Sequence, residues 1–152
     1  MFKVVKTFLT AAIMSIFSIA ANAQIFVNNV EVFTKMTKEQ VITKFGEPAN
    51  YKYYDSQDNG VDERYFYDGT MLHFNDESFN GFSIKDSRFK VRLEGLDCEV
   101  KVGDKFSILE PLKPIYMDWF DKNWYCVYFW EEMVCFEVID GIIQCMTYSS
   151  SL

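Results

Sequence analysis

The sequence predicts an α+β fold of two tandem units, in which short helices pack on one face of an antiparallel sheet. Three observations support this prediction. A short helix carries complete start and stop signals, aromatic runs separated by turn dipeptides follow it, and parts of the first half recur in the second. We assign residues 24–96 to the first helix-and-sheet unit and residues 97–152 to the second.

Residues 1–23 have the pattern of a secretory signal peptide. Lys3 and Lys6 precede an apolar run that is short for a membrane span, and Ala21-Asn22-Ala23 supplies the small residues of a cleavage site. No cysteine stands at this junction, which argues against a lipoprotein. The sequence therefore predicts a periplasmic or secreted protein that is cleaved after Ala23 and keeps no stable membrane span.

The predicted mature chain, residues 24–152, is strongly acidic. Without Lys3 and Lys6 it has 13 basic residues against 22 acidic ones, a net charge of −9. Such a surface argues against nucleic acid and against anionic membranes as partners. The charge is equally explained by the solubility of an exported domain.

The first helix is bounded by its own side chains. Thr37 and Gln40 have the spacing of a capping box, and Met36 and Val41 occupy the positions of a hydrophobic staple. Gly46 fits the left-handed position that ends a helix. A helix of this length is marginal in isolation, so we expect it to dock on a larger sheet.

Strand signals follow the helix. Asp68-Gly69 between two aromatic runs predicts a two-residue hairpin that pairs Phe66 with Met71, with Arg64 and His73 on the same side. Asn80-Gly81 predicts a second turn, and the alternating residues 87–96 predict the last strand of the first unit.

The second half repeats these features. Residues 71–74 (MLHF) are echoed by residues 133–136 (MVCF), and the turn at Asn80-Gly81 is echoed by Asp140-Gly141. Residues 102–114 supply a second short helix with a weaker cap at Asp104. This duplication is the main support for two tandem units.

The run Met36-Thr37-x-Glu39-Gln40-Val41-x-x-x-Phe45-Gly46-x-Pro48, followed by an aromatic hairpin, resembles the start of SmpA/OmlA-type envelope proteins. The duplicated plan is similar to the β-lactamase-inhibitor-protein-like fold, to which that family is structurally related. The resemblance implies non-enzymatic binding, by outer-membrane assembly subunits in one case and by an inhibitor that grips an enzyme with its sheet in the other. Lys35 stands where the family usually has glycine, and the lipidated cysteine of the assembly subunits is absent.

One side of the predicted sheet is rich in aromatic residues and methionine. With turns at Glu131-Glu132 and Asp140-Gly141, alternation places a set of seven residues on the side away from the helices. The set is Phe66, Met71, Tyr128, Trp130, Met133, Met146 and Tyr148. Such a composition is typical of an interface core, and we expect a protein partner there. Alternatively, residues 114–123 or the polar loop 55–63 cover this side and make it part of the core.

The pairing of the four cysteines stays open at this stage. Cys98, Cys126, Cys135 and Cys145 allow three full disulfide pairings in an exported protein, or act as small buried hydrophobic residues. A three-residue turn at residues 139–141 would place Cys135 opposite Cys145. The spacing lacks the paired motif of a zinc site.

Catalytic and cofactor signatures are missing from the sequence. His73 is the only histidine, and there is no Walker loop, dinucleotide motif or metal-binding histidine pair. We therefore predict a non-enzymatic protein without metal or cofactor. Two alternatives are a carbohydrate-binding module that stacks sugars on Trp119, Trp124 and Trp130, and a hydrolase acting on exported substrates.

Overall fold

The computed structural model describes residues 24–119 and 122–149, and the predicted signal peptide and its cleavage site lie outside these residues. The described chain is mostly β, with two antiparallel sheets, one α-helix and one 3-10 helix. The predicted α+β arrangement of tandem helix-and-sheet units is therefore wrong. The division of the chain between residues 96 and 97 stays a prediction.

The elements follow one another in a simple order. They are β1 (Ile25–Val27), β2 (Val30–Glu31), α1 (Lys38–Phe45), β3 (Asn50–Ser56), β4 (Gly60–Tyr67), β5 (Thr70–Asn75), β6 (Ser78–Ile84), β7 (Val91–Leu93), β8 (Glu99–Val100), the 3-10 helix (Phe106–Leu112), β9 (Ile115–Trp119), β10 (Lys122–Phe129), β11 (Glu132–Ile139) and β12 (Ile142–Ser149).

The large sheet has eight strands in the order β3-β4-β5-β6-β12-β11-β10-β9. Two four-stranded meanders therefore meet where β6 pairs with β12, from Ile84 opposite Met146 to Gly81 opposite Ser149. The small sheet has the order β2-β1-β7-β8. We call the side of the large sheet that packs against the small sheet and the helices its inner face, and the opposite side its outer face.

A single hydrophobic core lies on the inner face. Phe74, Phe82 and Phe136 of the large sheet are almost completely buried, together with Val91 of the small sheet and Leu109 of the 3-10 helix. Each such side chain contributes about 1.5–3 kcal/mol when it leaves water. The small sheet and the helices therefore act as one cover over the large sheet.

The capping box predicted for α1 is confirmed. Thr37 Oγ1 accepts a hydrogen bond from the Gln40 N–H at 3.3 Å, and Gln40 Oε1 accepts one from the Thr37 N–H at 2.9 Å. Val41 is fully buried, and Gly46 has a φ of 89°, which favours glycine. This helix docks on the sheet as expected, since its Phe45 ring packs against Phe79 at a centroid distance of 6.1 Å.

The second predicted helix is a 3-10 helix. Pro111 lies inside it and has no N–H to donate, which disfavours an α-helix. Asp104 does not cap it, because its carboxylate accepts a hydrogen bond from the Lys101 N–H at 2.9 Å. The second half thus lacks the α-helix that the tandem plan requires.

The strand predicted within residues 87–96 belongs to the small sheet. Val91 and Leu93 are buried and Arg92 is exposed, as the alternation predicts. However, β7 pairs with β1, with Val27 opposite Val91, and not with the first hairpin. Strands β1, β2 and β8 have only two or three residues each and were not predicted.

The turns divide into correct and incorrect predictions. The Asp68-Gly69 hairpin is confirmed, with Phe66 opposite Met71. The turn predicted at Asn80-Gly81 is wrong, because the chain reverses at Asp76-Glu77, where both residues have a positive φ. Gly81 instead lies within β6, opposite His73.

Candidate functional site

The outer face of the large sheet carries one continuous row of side chains across six strands. Each residue of the row lies directly opposite a residue on the neighbouring strand, from β4 at one end of the row to β10 at the other. The row consists of Phe66, Met71, Ser83, Thr147, Cys135 and Cys126. Because directly opposite residues share a face, these six side chains define the middle of the outer face.

A disulfide at one end of this row joins β10 to β11. Cys126 and Cys135 are bonded across the strands with a Cα–Cα distance of 4.1 Å, and both are buried. This resolves the pairing that the sequence left open. Cys98 is an exposed thiol, and Cys145 is a buried thiol whose sulfur lies 3.9 Å from the Ser83 hydroxyl oxygen.

Two exposed aromatic residues, Tyr128 and Trp130, follow this disulfide along β10 and into the turn after it. Tyr128 is 51% exposed and lies opposite Met133, which is half-buried. Trp130 is 79% exposed at the tip of the hairpin, where it has a φ of 56°. The turn is therefore Trp130-Glu131 and not Glu131-Glu132, but this shift keeps Tyr128 and Met133 on the predicted side.

Phe66 and Met71 occupy the outer face of the first meander, and both are half-buried. Five of the seven residues proposed from the sequence thus lie on the outer face or at its rim. They are Phe66, Met71, Tyr128, Trp130 and Met133.

The outward placement predicted for the other two, Met146 and Tyr148, is wrong. Met146 is fully buried and Tyr148 is 3% exposed. The pairing changes from Val138 opposite Ile143 to Glu137 opposite Cys145, which leaves Gln144 as an extra residue on β12. Met146 therefore lies opposite Phe136 in the core. A single inserted residue reverses the alternation of every residue beyond it, which explains the error.

A charged cluster borders Phe66 and Met71 on the outer face. His73 Nε2 lies 2.6 Å from Asp62 Oδ1, and Arg64 Nη2 donates to Asp62 Oδ2 at 3.0 Å. Burial alone would raise the pKa of Asp62, but the hydrogen bond from Arg64 and the charges of His73 and Arg64 lower it below its ordinary value. Alternation predicts the positions of Arg64 and His73 correctly. Asp62 was not predicted here, because residues 55–63 read as a loop although they belong to the β3–β4 hairpin.

A buried carboxylate on the inner face binds two tyrosines. Glu63 is 7% exposed and accepts hydrogen bonds from the Tyr51 hydroxyl at 2.5 Å and from the Tyr65 hydroxyl at 3.0 Å. Burial and then the hydrogen bond to Glu63 raise the pKa of both tyrosines. These contacts satisfy polar groups at the margin of the core, and they anchor β3 to β4.

The two segments considered as a cover for the outer face belong to the large sheet itself. Within residues 114–123, the described part of the chain forms β9 and the start of β10, which pair at the end of the large sheet. Residues 55–63 form the end of the β3–β4 hairpin, with residues 57–59 as its turn. The exposure of Tyr128 is consistent with an uncovered face.

Other kinds of site receive little support in the described ranges. No group of three or more His, Cys, Asp or Glu residues in them could hold a metal ion, and no described helix is long and apolar enough to cross a membrane. Two clefts, of about 210 and 360 Å³, lie beside the small sheet and not on the outer face.

Comparison with known proteins does not assign a family. No family model matches the chain, and no curated protein matches it. A solved structure with some likeness is an extracellular protein containing an SCP domain from Bacillus anthracis strain Ames, with a TM-score of 0.47 and 11% identity. The match covers 78% of this chain and 43% of that one, so this chain spans less than half the length of that protein. The disulfide itself is typical of exported proteins and agrees with predicted secretion.

Proposed function

We propose that this chain is an exported, non-enzymatic protein that binds a protein partner through the outer face of its large sheet. The observation that carries the proposal is the exposure of Tyr128 and Trp130 beside Met133 on a face that no described segment covers. Exposed patches of this kind are uncommon on monomeric proteins, and aromatic residues and methionine are enriched in interface cores.

The surroundings of these residues suit a binding surface. Tyr128 lies on β10 two residues after Cys126, and the disulfide of Cys126 joins this strand to β11. A side chain on such a rigid element loses little conformational freedom when a partner binds. On the other meander, the polar side chains of Asp62, Arg64 and His73 lie beside the apolar Phe66, which is the usual arrangement of a polar rim around an apolar centre.

The kind of partner is proposed from the resemblance to SmpA/OmlA-type and inhibitor-like proteins. Both imply contact with another protein in the envelope or outside the cell, and cleavage after Ala23 would deliver the chain there. The charged cluster and the exposed aromatics predict a partner that offers an apolar projection bordered by polar groups.

The carbohydrate alternative is less favoured by the geometry. Trp124 lies on β10 opposite Glu137, and Trp130 lies in the turn at the far end of the same strand. The chain between them extends roughly 20 Å, which separates the two rings by far more than the width of one sugar. The side chain of Trp119 lies outside the described part of the structure.

Cross-linking capture tests the proposal. The exported protein is incubated with envelope or culture extract, and captured proteins are compared for wild type, Tyr128→Ala, Trp130→Ala and the control Tyr116→Ala. Tyr116 is also 51% exposed, but it lies on the edge strand β9 with its ring against Tyr125 on the inner side. We expect one captured protein whose recovery Tyr128→Ala and Trp130→Ala reduce by about 30-fold, because an aromatic residue that anchors an interface contributes about 2 kcal/mol or more.

The control variant and the thermal midpoint decide the result. Tyr116→Ala retains the captured protein, and all three variants unfold close to the wild-type temperature. Equal capture by wild type and Tyr128→Ala, or a glycan array on which Tyr128→Ala abolishes strong binding, overturns the proposal.

A further inference from the structure

Strand β3 forms an open end of the large sheet. Among the described strands it pairs only with β4, and that pairing is regular from Asn50 opposite Phe66 to Ser56 opposite Gly60. The strand contains no proline and no bulge. Proteins usually protect an edge strand with such features, because its free N–H and C=O groups can pair with another chain.

Strand β3 carries the charged Lys52 and Asp55, but it also exposes two aromatic rings. Tyr53 is 54% exposed and Tyr54 is 51% exposed, and their side chains point to opposite faces of the sheet because they are adjacent. Both faces of this edge therefore present an aromatic ring to solvent. A neighbouring strand would bury both rings at once.

We propose that β3 pairs with β3 of a second copy of this chain, antiparallel and centred on Tyr53. In this register the whole strand from Asn50 to Ser56 overlaps, and the two-fold axis places Tyr53 opposite its own copy. Lys52 then lies opposite Tyr54 of the second copy, and Tyr51 lies opposite its Asp55. The two large sheets become one continuous sheet.

Charges select this register over its neighbours. A register centred on Lys52 would place the two Lys52 side chains opposite each other, and one centred on Asp55 would place the two Asp55 carboxylates opposite each other. Like charges directly opposite each other destabilise a strand pair, so both registers are unfavourable. A centre at Tyr54 avoids like charges but shortens the overlap to residues 52–56. The register centred on Tyr53 is the one that combines full length with no like pair.

Two attractive contacts accompany this register. Lys52 meets the ring of Tyr54 from the second copy, an arrangement that favours a cation–π interaction. Lys38 already lies over Tyr51, with its Nζ 3.8 Å from the ring centroid. Asp55 of the second copy, directly opposite Tyr51, therefore approaches a positive charge.

The opposite end of the sheet is a weaker candidate. Strand β9 is shorter than β3, and Pro114 precedes it directly. Its exposed residues include Tyr116, which has nearly the same exposure as Tyr53. Tyr116 therefore provides a matched control for a test on β3.

The test measures the molecular mass of the protein in solution and introduces a positive or a negative charge at Tyr53. Light scattering of the exported protein at about 100 μM should give the mass of a dimer. Tyr53→Lys and Tyr53→Glu should each give a monomer, since like charges then face each other at the axis. A tagged Tyr53→Lys chain should retain untagged Tyr53→Glu chains but not untagged Tyr53→Lys chains.

Each outcome supports or overturns the proposal. Tyr116→Lys should remain dimeric, and the Tyr53 variants should keep wild-type circular dichroism. A monomeric wild type, a failure of the Lys and Glu variants to associate, or dissociation by Tyr116→Lys in place of Tyr53→Lys would each overturn pairing through β3.

Discussion

Cys126 and Cys135 lie directly opposite each other on β10 and β11, and their disulfide fixes the strand pair that carries Tyr128 and Met133. The two cysteines are nine residues apart in the sequence. The pair Val127 and Val134 separates the disulfide from Tyr128 and Met133, which lie on the same face as the disulfide. The disulfide therefore stabilises the part of the outer face on which the proposed function depends.

Removal of this disulfide should destabilise the whole chain. We expect Cys126→Ala/Cys135→Ala to lower the free energy of unfolding by about 2–3 kcal/mol, because the unfolded chain regains the freedom of a short closed loop. Urea denaturation measures this change. Cys98→Ala, at an exposed thiol, should have little effect, and a double variant as stable as wild type would contradict the bond.

The capping box of α1 should contribute measurably to stability. Thr37→Ala removes the acceptor of the Gln40 N–H and should cost about 1 kcal/mol in the free energy of unfolding. Thr43→Ala in the same helix removes only a bond to the Glu39 carbonyl and should change stability by less than about 0.5 kcal/mol. Equal effects in thermal unfolding would show that the cap is not formed.

The Asp62 cluster should make stability depend on pH in the acid range. The folded-state pKa of Asp62 lies below its ordinary value of 3.8, so the ionised carboxylate stabilises the fold above pH 3.8. This stabilisation is lost as the pH falls through the lowered pKa. Asp62→Asn should therefore be less stable than wild type at pH 6, and the difference should disappear near the acid end of the range.

A second variant assigns this effect to the cluster. Arg64 donates the hydrogen bond that lowers the pKa of Asp62. Asp62→Asn should therefore cost less stability in an Arg64→Ala background than in wild type. Urea midpoints measured across the pH range check both statements, and a constant difference between wild type and Asp62→Asn would contradict them.

The register shift between β11 and β12 predicts which methionines react with peroxide. Met71 and Met133 are half-buried on the outer face, whereas Met146 is fully buried on the inner face. We expect mass spectrometry to find Met71 and Met133 oxidised in the folded protein while Met146 stays intact. In urea all three should react at similar rates, and rapid oxidation of Met146 in the folded protein would contradict the shift.

Local signals in the sequence predicted part of this fold because they act over a few residues. Asp68-Gly69 fixed the register of β4 and β5, since such a turn leaves little choice of pairing. The capping box of Thr37 and Gln40 fixed the start of α1 in the same way. The faces of Phe66 and Met71 followed from the Asp68-Gly69 turn and from alternation. Tyr128 and Met133 were placed on the correct face although their turn was predicted one residue too late.

The rest depended on features without a local signal. The turn at Asp76-Glu77 uses two positive φ angles without glycine, while the nearby Asn80-Gly81 has the typical turn composition but lies in a strand. The shift at Glu137 and Val138 has no distinctive composition, yet it moved Met146 and Tyr148 into the core. The small sheet joins two short local pairs, β1–β2 and β7–β8, through the distant pairing of β1 with β7. Strands this short were not predicted, and the α+β class was predicted in place of a mostly β fold.

The central claim is that the outer face contacts a protein partner, and hydroxyl-radical footprinting of the cross-linked or co-purified complex tests it most directly. We expect Tyr128, Trp130 and Met133 to be protected in the complex relative to the free chain, while Tyr116 on β9 keeps its reactivity. Unchanged reactivity of Tyr128 and Trp130, with protection at another surface, would contradict the claim.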